Sequence, residues 1–358
     1  MASPTRNIRS YPLNASTSQE TISHALRILR PHIPISLPLY RRLQAGRFFD
    51  ASVLLTNLDL GSHSNGETST SNNTIVKDHD RNSDEPYLLA FVDRSCRPET
   101  EVYLFASWEV DSSPPITEQQ DTIDSLIHNL VKSIRNLSLP KSIHPPSATS
   151  ETNSTTDHLG HSRADYGGHA ANPDIMLWGA IHALTVPILT RLNYISPAFK
   201  TSLVPNHSFI WDVSTLPLLH EQDLPPGLSW GSLTPEHFAL VRSRTQIPRQ
   251  DRTLSVLPNL AIFEEATGEP VGWAFVGLDG SLTTLHTEAA WRGKGLAKML
   301  TTKLFKEQMD KFWEEGVARL AHGYVIDGNK ESEGMCTSLG GVSGWQVYWL
   351  RVDLGGVR

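Results

Sequence analysis

Cysteine, basic excess and long apolar runs are all scarce in this chain, and each shortage closes off a class of protein. Only two cysteines, Cys96 and Cys336, occur in 358 residues. Two cysteines cannot build a disulfide framework, and neither has the C-x-x-C partner of a zinc or redox motif. This usage points to a reducing compartment, read as the cytoplasm. A mitochondrial alternative rests on Arg6 and Arg9, with no acid before Glu20. The formal net charge is −7, so the basic footprint of a nucleic-acid partner is missing. The longest apolar run, residues 175–192, contains His182, Pro187 and Arg191 and fails as a membrane span. We read it as a buried helix that stops near the proline. Neither a membrane nor a nucleic acid is expected as a partner.

Length and pattern supply what composition does not. A chain of 358 residues holds about two domains at roughly 150 residues each, and we divide it into residues 1–200 and 205–358. In the first, Ile22, Ala25, Leu26, Ile28 and Leu29 predict a helix closed by Pro31 and Pro34, followed by a short element over 37–44. Residues 51–58 read as a strand, and 87–93 and 101–108 as an antiparallel pair. Residues 123–139 are apolar at helical spacing until Pro140. Two polar stretches, 61–84 and 142–172, hold little to bury and read as disordered insertions. The second carries His144, His158, His161 and His169 at spacings that match no metal site, so it reads as solvated linker and no metal is expected.

The second half is denser in signals. Residues 208–212 predict a strand, 225–233 a loop entering a strand, and Thr234-Pro235-Glu236 a helix start, with threonine as N-cap and proline in the first turn. Residues 260–264, 271–276 and 281–287 follow as three antiparallel strands joined by tight turns. The third runs into Arg292-Gly293-Lys294-Gly295. Beyond it, Leu296, Met299, Leu300, Leu304, Phe305, Met309, Phe312 and Trp313 predict one long amphipathic helix, and 320–326 another strand. Glycines beside a helix N-terminus let backbone N–H groups approach a phosphate, and the helix dipole adds partial positive charge there. A P-loop would need GxxxxGK[ST], which is absent. A dinucleotide site would need a third glycine and an acid at the next strand end, whereas Asp310 falls inside the predicted helix.

The spacing Arg292-x-x-Gly295-x-Ala297 resembles the acyl-CoA-binding motif of the GNAT superfamily of N-acyltransferases. The order of strand meander, loop, helix and strand is similar to the GNAT order. Asn329-x-x-Ser332-x-x-Met335-Cys336-x-x-Leu339-Gly340 resembles its next motif, with Gly341 where an aromatic is usual. Residues 226–233, 269–273 and 287–297 resemble the glycine N-acyltransferase-like branch in particular, as does the segment 29–40. The resemblance implies an α+β GNAT fold, a mixed and mostly antiparallel sheet flanked by helices, with a second, degenerate GNAT-like domain at the N-terminal side. It implies acetyl-CoA or another acyl-CoA as co-substrate and a small amine or amino acid as acceptor. The acyl-CoA would be held by Leu285, His286, Thr287, Arg292, Gly293, Lys294, Gly295, Leu296, Ala297, Lys298, Asn329 and Ser332.

Acyl transfer from a thioester to an amine needs a neutral amine near a polarised carbonyl. Deprotonating a lysine amine at pH 7 costs roughly 4.6 kcal/mol, and an α-amine roughly 1.4 kcal/mol, so a weak base serves the second and not the first. His286 and Glu288 are the candidate bases, and by alternation they share a strand face with Thr284. Tyr324 reads as core. Many GNAT enzymes carry a tyrosine acid where Cys336 stands, and the glycine branch an acid at the position of Ala290. Cys336 reads as a small buried residue. These departures keep two alternatives: a CoA-binding protein whose chemistry has lapsed, and a protein N-acetyltransferase.

Overall fold

The computed structural model describes residues 7–13, 18–61, 85–110, 117–140, 163–199, 203–245 and 247–356. The early part of the chain forms β1 (Arg9–Pro12), α1 (Gln19–Leu29), α2 (Leu37–Gln44), β2 (Val53–Thr56), β3 (Leu88–Val92), β4 (Val102–Ala106), α3 (Thr117–Arg135), α4 (Arg163–Ala171), β5 (Ile175–His182), α5 (Val186–Arg191) and β6 (Asn206–Asp212). The later part forms β7 (Leu228–Gly231), α6 (Phe238–Ser243), α7 (Asp251–Leu254), β8 (Asn259–Glu264), β9 (Pro270–Val276), β10 (Ser281–Thr287), α8 (Leu296–Glu307), β11 (Leu320–Ile326), α9 (Lys330–Ser338) and β12 (Val342–Asp353).

All twelve strands join one sheet in the order β1-β2-β3-β4-β5-β12-β6-β11-β10-β9-β8-β7. Read inward from its two edges, the sheet repeats itself. Four antiparallel strands lead to a parallel pair, β4 beside β5 on one side and β10 beside β11 on the other. The two central strands are exchanged between the halves. The last strand of the chain, β12, completes the early half against β5, while β6 completes the later half against β11. Four apolar clusters fill the layers, one on each face of each half-sheet. Arg41 on α2 ties the halves together: it donates to the carbonyls of Phe312 and Leu320 and lies against the Phe312 and Trp313 rings.

Three sequence expectations are corrected. The run 175–192 is not one buried helix but β5 followed by α5, with Pro187 in the first turn of α5, where its missing N–H costs nothing. All eight residues of β5 are buried, and a strand covered on both faces shows a continuous apolar run indistinguishable by periodicity from a buried helix. The linker expected over 142–172 contains α4, which buries Tyr166 and His169, residues one helical turn apart that sit on its inner side. Residues 142–162 of that stretch, and 62–84 of the first polar insertion, lie outside the described residues. The helix after the glycine loop stops at Glu307; Met309 and Phe312 are still fully buried, but from a separate 3-10 turn, Asp310–Phe312. No helix among the described residues is long and apolar enough to cross a membrane.

Candidate active site

The loop between β10 and α8 is held by conformation rather than by crowding. Gly293 and Gly295 have φ of 75° and 81°, a region that L side chains rarely adopt, and a Cβ on either would meet nothing within 4 Å. Gly295 stands at the N-cap of α8, and no side chain caps the helix there. The N–H groups of Leu296 and Ala297 therefore face outward without intrahelical acceptors. Leu296 is buried and anchors the helix, while Arg292, Lys294 and Lys298 are exposed around its start. Arg292 Nε donates to the Thr287 carbonyl at 3.1 Å, fastening the loop to the end of β10, and the Lys294 ammonium lies 4.2 Å over the Trp291 ring. Open amides, a helix dipole and three cations thus lie together, an arrangement that favours an anion.

Beside this loop the sheet splits. The parallel pair β10–β11 is registered only at Ser281–His322 and Leu282–Gly323, and beyond those positions the two strands part. One extra residue on β10 accompanies the split: Thr283 lies opposite Phe275, yet His286 lies opposite Trp273, so three residues on β10 span two on β9. Thr284 sits in this bulge at φ 54°, a costly conformation for a β-branched residue and one that collects at functional sites. The bulge also corrects the alternation expected from sequence. Thr283, not Thr284, shares a face with His286, while Leu282 and Leu285 pack toward α8.

A cavity of about 570 Å³ occupies the split and extends to the early half of the chain. Leu285, Asn329, Ser332 and Cys336 line one end of it, and Tyr103 and Tyr166 belong to the wall contributed by β4 and α4. Asn329 is the N-cap of α9, its side chain accepting from the Ser332 N–H at 3.1 Å. Burial pushes the Cys336 thiol up to about 12. Tyr324, expected as core, instead lines the cavity, and its hydroxyl has no hydrogen-bond partner among the described residues. In the early half the equivalent pair, β4 and β5, is also registered at two positions only. There the strand ends are bridged: Trp108 Nε1 donates to Thr185 Oγ1 (3.1 Å), and that hydroxyl donates to buried Glu109 (2.5 Å). One split is open and the other is plugged.

His286 and Glu288 lie together at the end of β10, half-buried and off the cavity wall, as does Thr287. His286 stacks on Trp273 with ring centroids 4.8 Å apart. Its Nε2 is 3.6 Å from Glu288 Oε2, longer than a hydrogen bond. Burial lowers the imidazole below its ordinary value, partly opposed by the neighbouring Glu288 charge, so at pH 7 the ring is neutral. For Glu288, burial acts upward, but the Arg244 hydrogen bond at 2.8 Å and nearby His286 outweigh it and hold the carboxyl below its usual range. Of the two expected bases, Glu288 is engaged by Arg244, while His286 Nε2 is buried without a hydrogen-bond partner among the described residues.

Sequence reasoning missed Arg249. Its Nη2 donates to Thr283 Oγ1 at 2.7 Å and its Nε to Thr284 Oγ1 at 3.1 Å, directly on the bulge. The available signal was the density of arginine at 242, 244, 249 and 252, just before the meander.

With this geometry in view, the family comparisons agree. Residues 8–211 match the model described as the acyl-CoA N-acyltransferase verG N-terminal domain, and residues 259–350 match that of FR47-like proteins. The first match spans more than half of the chain, so the chain belongs to that acyl-CoA N-acyltransferase family, within the GNAT superfamily. No curated protein matches it. Among solved structures, a Drosophila protein is similar in fold: it is 13% identical, with a TM-score of 0.56, covering 96% of this chain and 98% of that one. A tandem GNAT protein from the clavulanic acid biosynthesis pathway is 11% identical with a TM-score of 0.47, covering 98% and 99%. A GCN5-related N-acetyltransferase from Kribbella flavida is 11% identical with a TM-score of 0.43, covering 74% and 86%.

Proposed function

We propose that the protein is an acyl-CoA-dependent N-acyltransferase that moves an acetyl or other acyl group to the amine of a small molecule or amino acid. The division into residues 1–200 and 205–358, and the place near the glycine N-acyltransferase-like branch, belong to the same reading. The observation that carries it is the continuity of three features: an uncapped helix start with two left-handed glycines, an open strand split beside it, and a cavity beyond the split. A diphosphate fits the first, a thin pantetheine arm the second, and the reacting groups the third. The plugged split of the early half leaves a single acyl-CoA site.

The chemistry then assigns roles to this chain's residues. The amine nitrogen attacks the thioester carbonyl, a C–N bond forms, and the C–S bond breaks. The neutral imidazole of His286 takes the amine proton through water, because its ring stands behind the wall rather than on it. Glu288, held by Arg244 with its Oε2 3.6 Å from Nε2, supports the imidazolium through its charge. The Tyr324 hydroxyl, protonated because burial pushes its pKa well up, supplies the proton to the departing thiolate. The raised thiol of Cys336 and the fixed Glu288 favour the lapsed binder as second reading. Thiol release from acetyl-CoA with a panel of amines and amino acids separates the two. Turnover that falls in Tyr324→Phe and His286→Gln is expected; binding of acetyl-CoA with no thiol released would establish the second reading.

A further inference from the structure

We infer that the acceptor is an amine carrying both a carboxylate and a bulky apolar or aromatic body, with its carboxylate seated on Arg249. The inference rests on the acyltransferase reading and deepens it. In a chain of net charge −7, the cavity wall carries five arginines, at 42, 244, 249, 252 and 351. Among the described residues only Glu99 and Asp279 oppose them there. Such an imbalance in a partly enclosed space favours an anion.

Most of these guanidiniums already have work. Arg244 is paired with Glu288, and Arg42 lies 3.9 Å over the Phe91 ring while donating to the Arg47 carbonyl. Arg252 donates to Gln250 and to the Ser95 carbonyl, and Arg351 lies 4.7 Å from the Tyr166 ring centroid. Arg249 differs. Besides a 3.5 Å contact to its neighbour's carbonyl, it donates to the two threonine hydroxyls of the bulge, which orient the guanidinium without neutralising it. It makes no ion pair among the described residues; its charge acts on Glu99 of the same wall, which accepts from the Gln250 N–H at 2.7 Å and whose carboxyl burial pushes up. A fixed guanidinium without a directly paired carboxylate is a carboxylate receptor.

Its position matters as much as its charge. Thr283 and Thr284 immediately follow Leu282, the last position of β10 paired with β11, so an acceptor held at Arg249 has its amine near the point at which a thioester would emerge. The cavity measures about 570 Å³ in all, the size of pockets for drug-sized ligands, and is shared between the pantetheine arm in the split and an acceptor larger than glycine. Its walls include Tyr103 and Tyr166 from the early half, and Trp349, whose ring meets that of Tyr324 edge-on at 5.0 Å. Such rings suit an aromatic or apolar body. On this inference the early half supplies one side of the acceptor pocket.

The test compares phenylalanine, phenethylamine and glycine as acceptors for acetyl-CoA, read by thiol release. Phenylalanine is expected to be used best by kcat/KM. Phenethylamine, which lacks only the carboxylate, should fall by about 10- to 100-fold, in keeping with loss of a charged hydrogen-bonded contact. Arg249→Gln should raise KM for phenylalanine by a similar factor and so abolish its advantage over phenethylamine within the same variant; Arg249→Lys should restore part of that advantage. Equal use of phenethylamine and phenylalanine would overturn the carboxylate contact, and equal use of glycine would overturn the bulky body, while the acyltransferase reading survived either. If no acceptor releases thiol, that reading fails instead. Calorimetric titration of the three compounds then decides the inference alone: phenylalanine binding lost in Arg249→Gln upholds it, and absence of phenylalanine binding overturns it.

Discussion

Replacing Gly295 by alanine separates a backbone effect from a ligand effect. At φ 81° an alanine pays a conformational cost of roughly 1–2 kcal/mol, and because a Cβ there meets nothing within 4 Å, no steric cost is added. The chain relieves that strain by turning φ negative, which swings the N–H groups at the start of α8 away from the diphosphate. Each charge-assisted hydrogen bond is worth roughly 1.5–3 kcal/mol, so losing one raises the Kd for coenzyme A about 10- to 150-fold. Gly227 provides the matched control: it also has φ 81° and open space at its Cβ, and it leads into β7, at the far edge of the sheet and three strands from β10. Gly227→Ala and Gly295→Ala should lose similar stability in urea titrations, but only the second should weaken coenzyme A in calorimetry. Pantetheine, which lacks the diphosphate, should bind Gly295→Ala as it binds the unaltered protein. Equal weakening of coenzyme A in the two variants, or equal weakening of pantetheine and coenzyme A in Gly295→Ala, would refute the assignment of the loop amides.

Two pH effects follow from the buried groups. His286 titrates below its ordinary value, so kcat/KM should fall only on the acid side of that value; Glu288→Gln removes the charge that partly raises it and should move the limb to lower pH, and His286→Gln should erase the limb. A limb that stays in His286→Gln would remove this residue from the chemistry. Glu109 is raised from 4.5 to about 7, by burial first, against the Thr185 and Ala106 hydrogen bonds. Its native form thus binds a proton more tightly than its unfolded form. The stability this contributes is complete below the unfolded value and is lost as pH rises through about 7, by roughly 3 kcal/mol. Glu109→Gln should flatten the decline in melting temperature between pH 5 and 8, although Glu101, raised likewise to about 7, keeps part of the slope. An unchanged slope would show that the carboxyl is solvated in the native state.

The elements that sequence reasoning reached are those with local causes. Prolines 31 and 34 end α1, short apolar runs and tight turns mark β8, β9 and β10, and Asn329, first residue of the motif read from sequence, caps α9. Where the cause was not local, the reading went astray. β5 is apolar throughout because β4 and β12 flank it and helices cover it, and β12 comes from the other end of the chain. α4 looked like linker because, among its described side chains, only Tyr166 and His169 are deeply buried, too weak a stripe to stand out in a polar stretch.

By itself the sequence determined the glycine loop, since left-handed glycines beside a helix start depend on neighbours in the chain, and it determined the superfamily through that loop and the meander. Only the tertiary structure decided the rest of the site. The bulge at Thr284 depends on pairing with β9, and it reversed which threonine shares a face with His286. Arg244 pairs with Glu288, one of the two candidate bases. The pocket itself is walled by β4, α4, β10 and β11, so its charge and size arise from residues more than a hundred positions apart, brought together by long-range packing that no local pattern encodes.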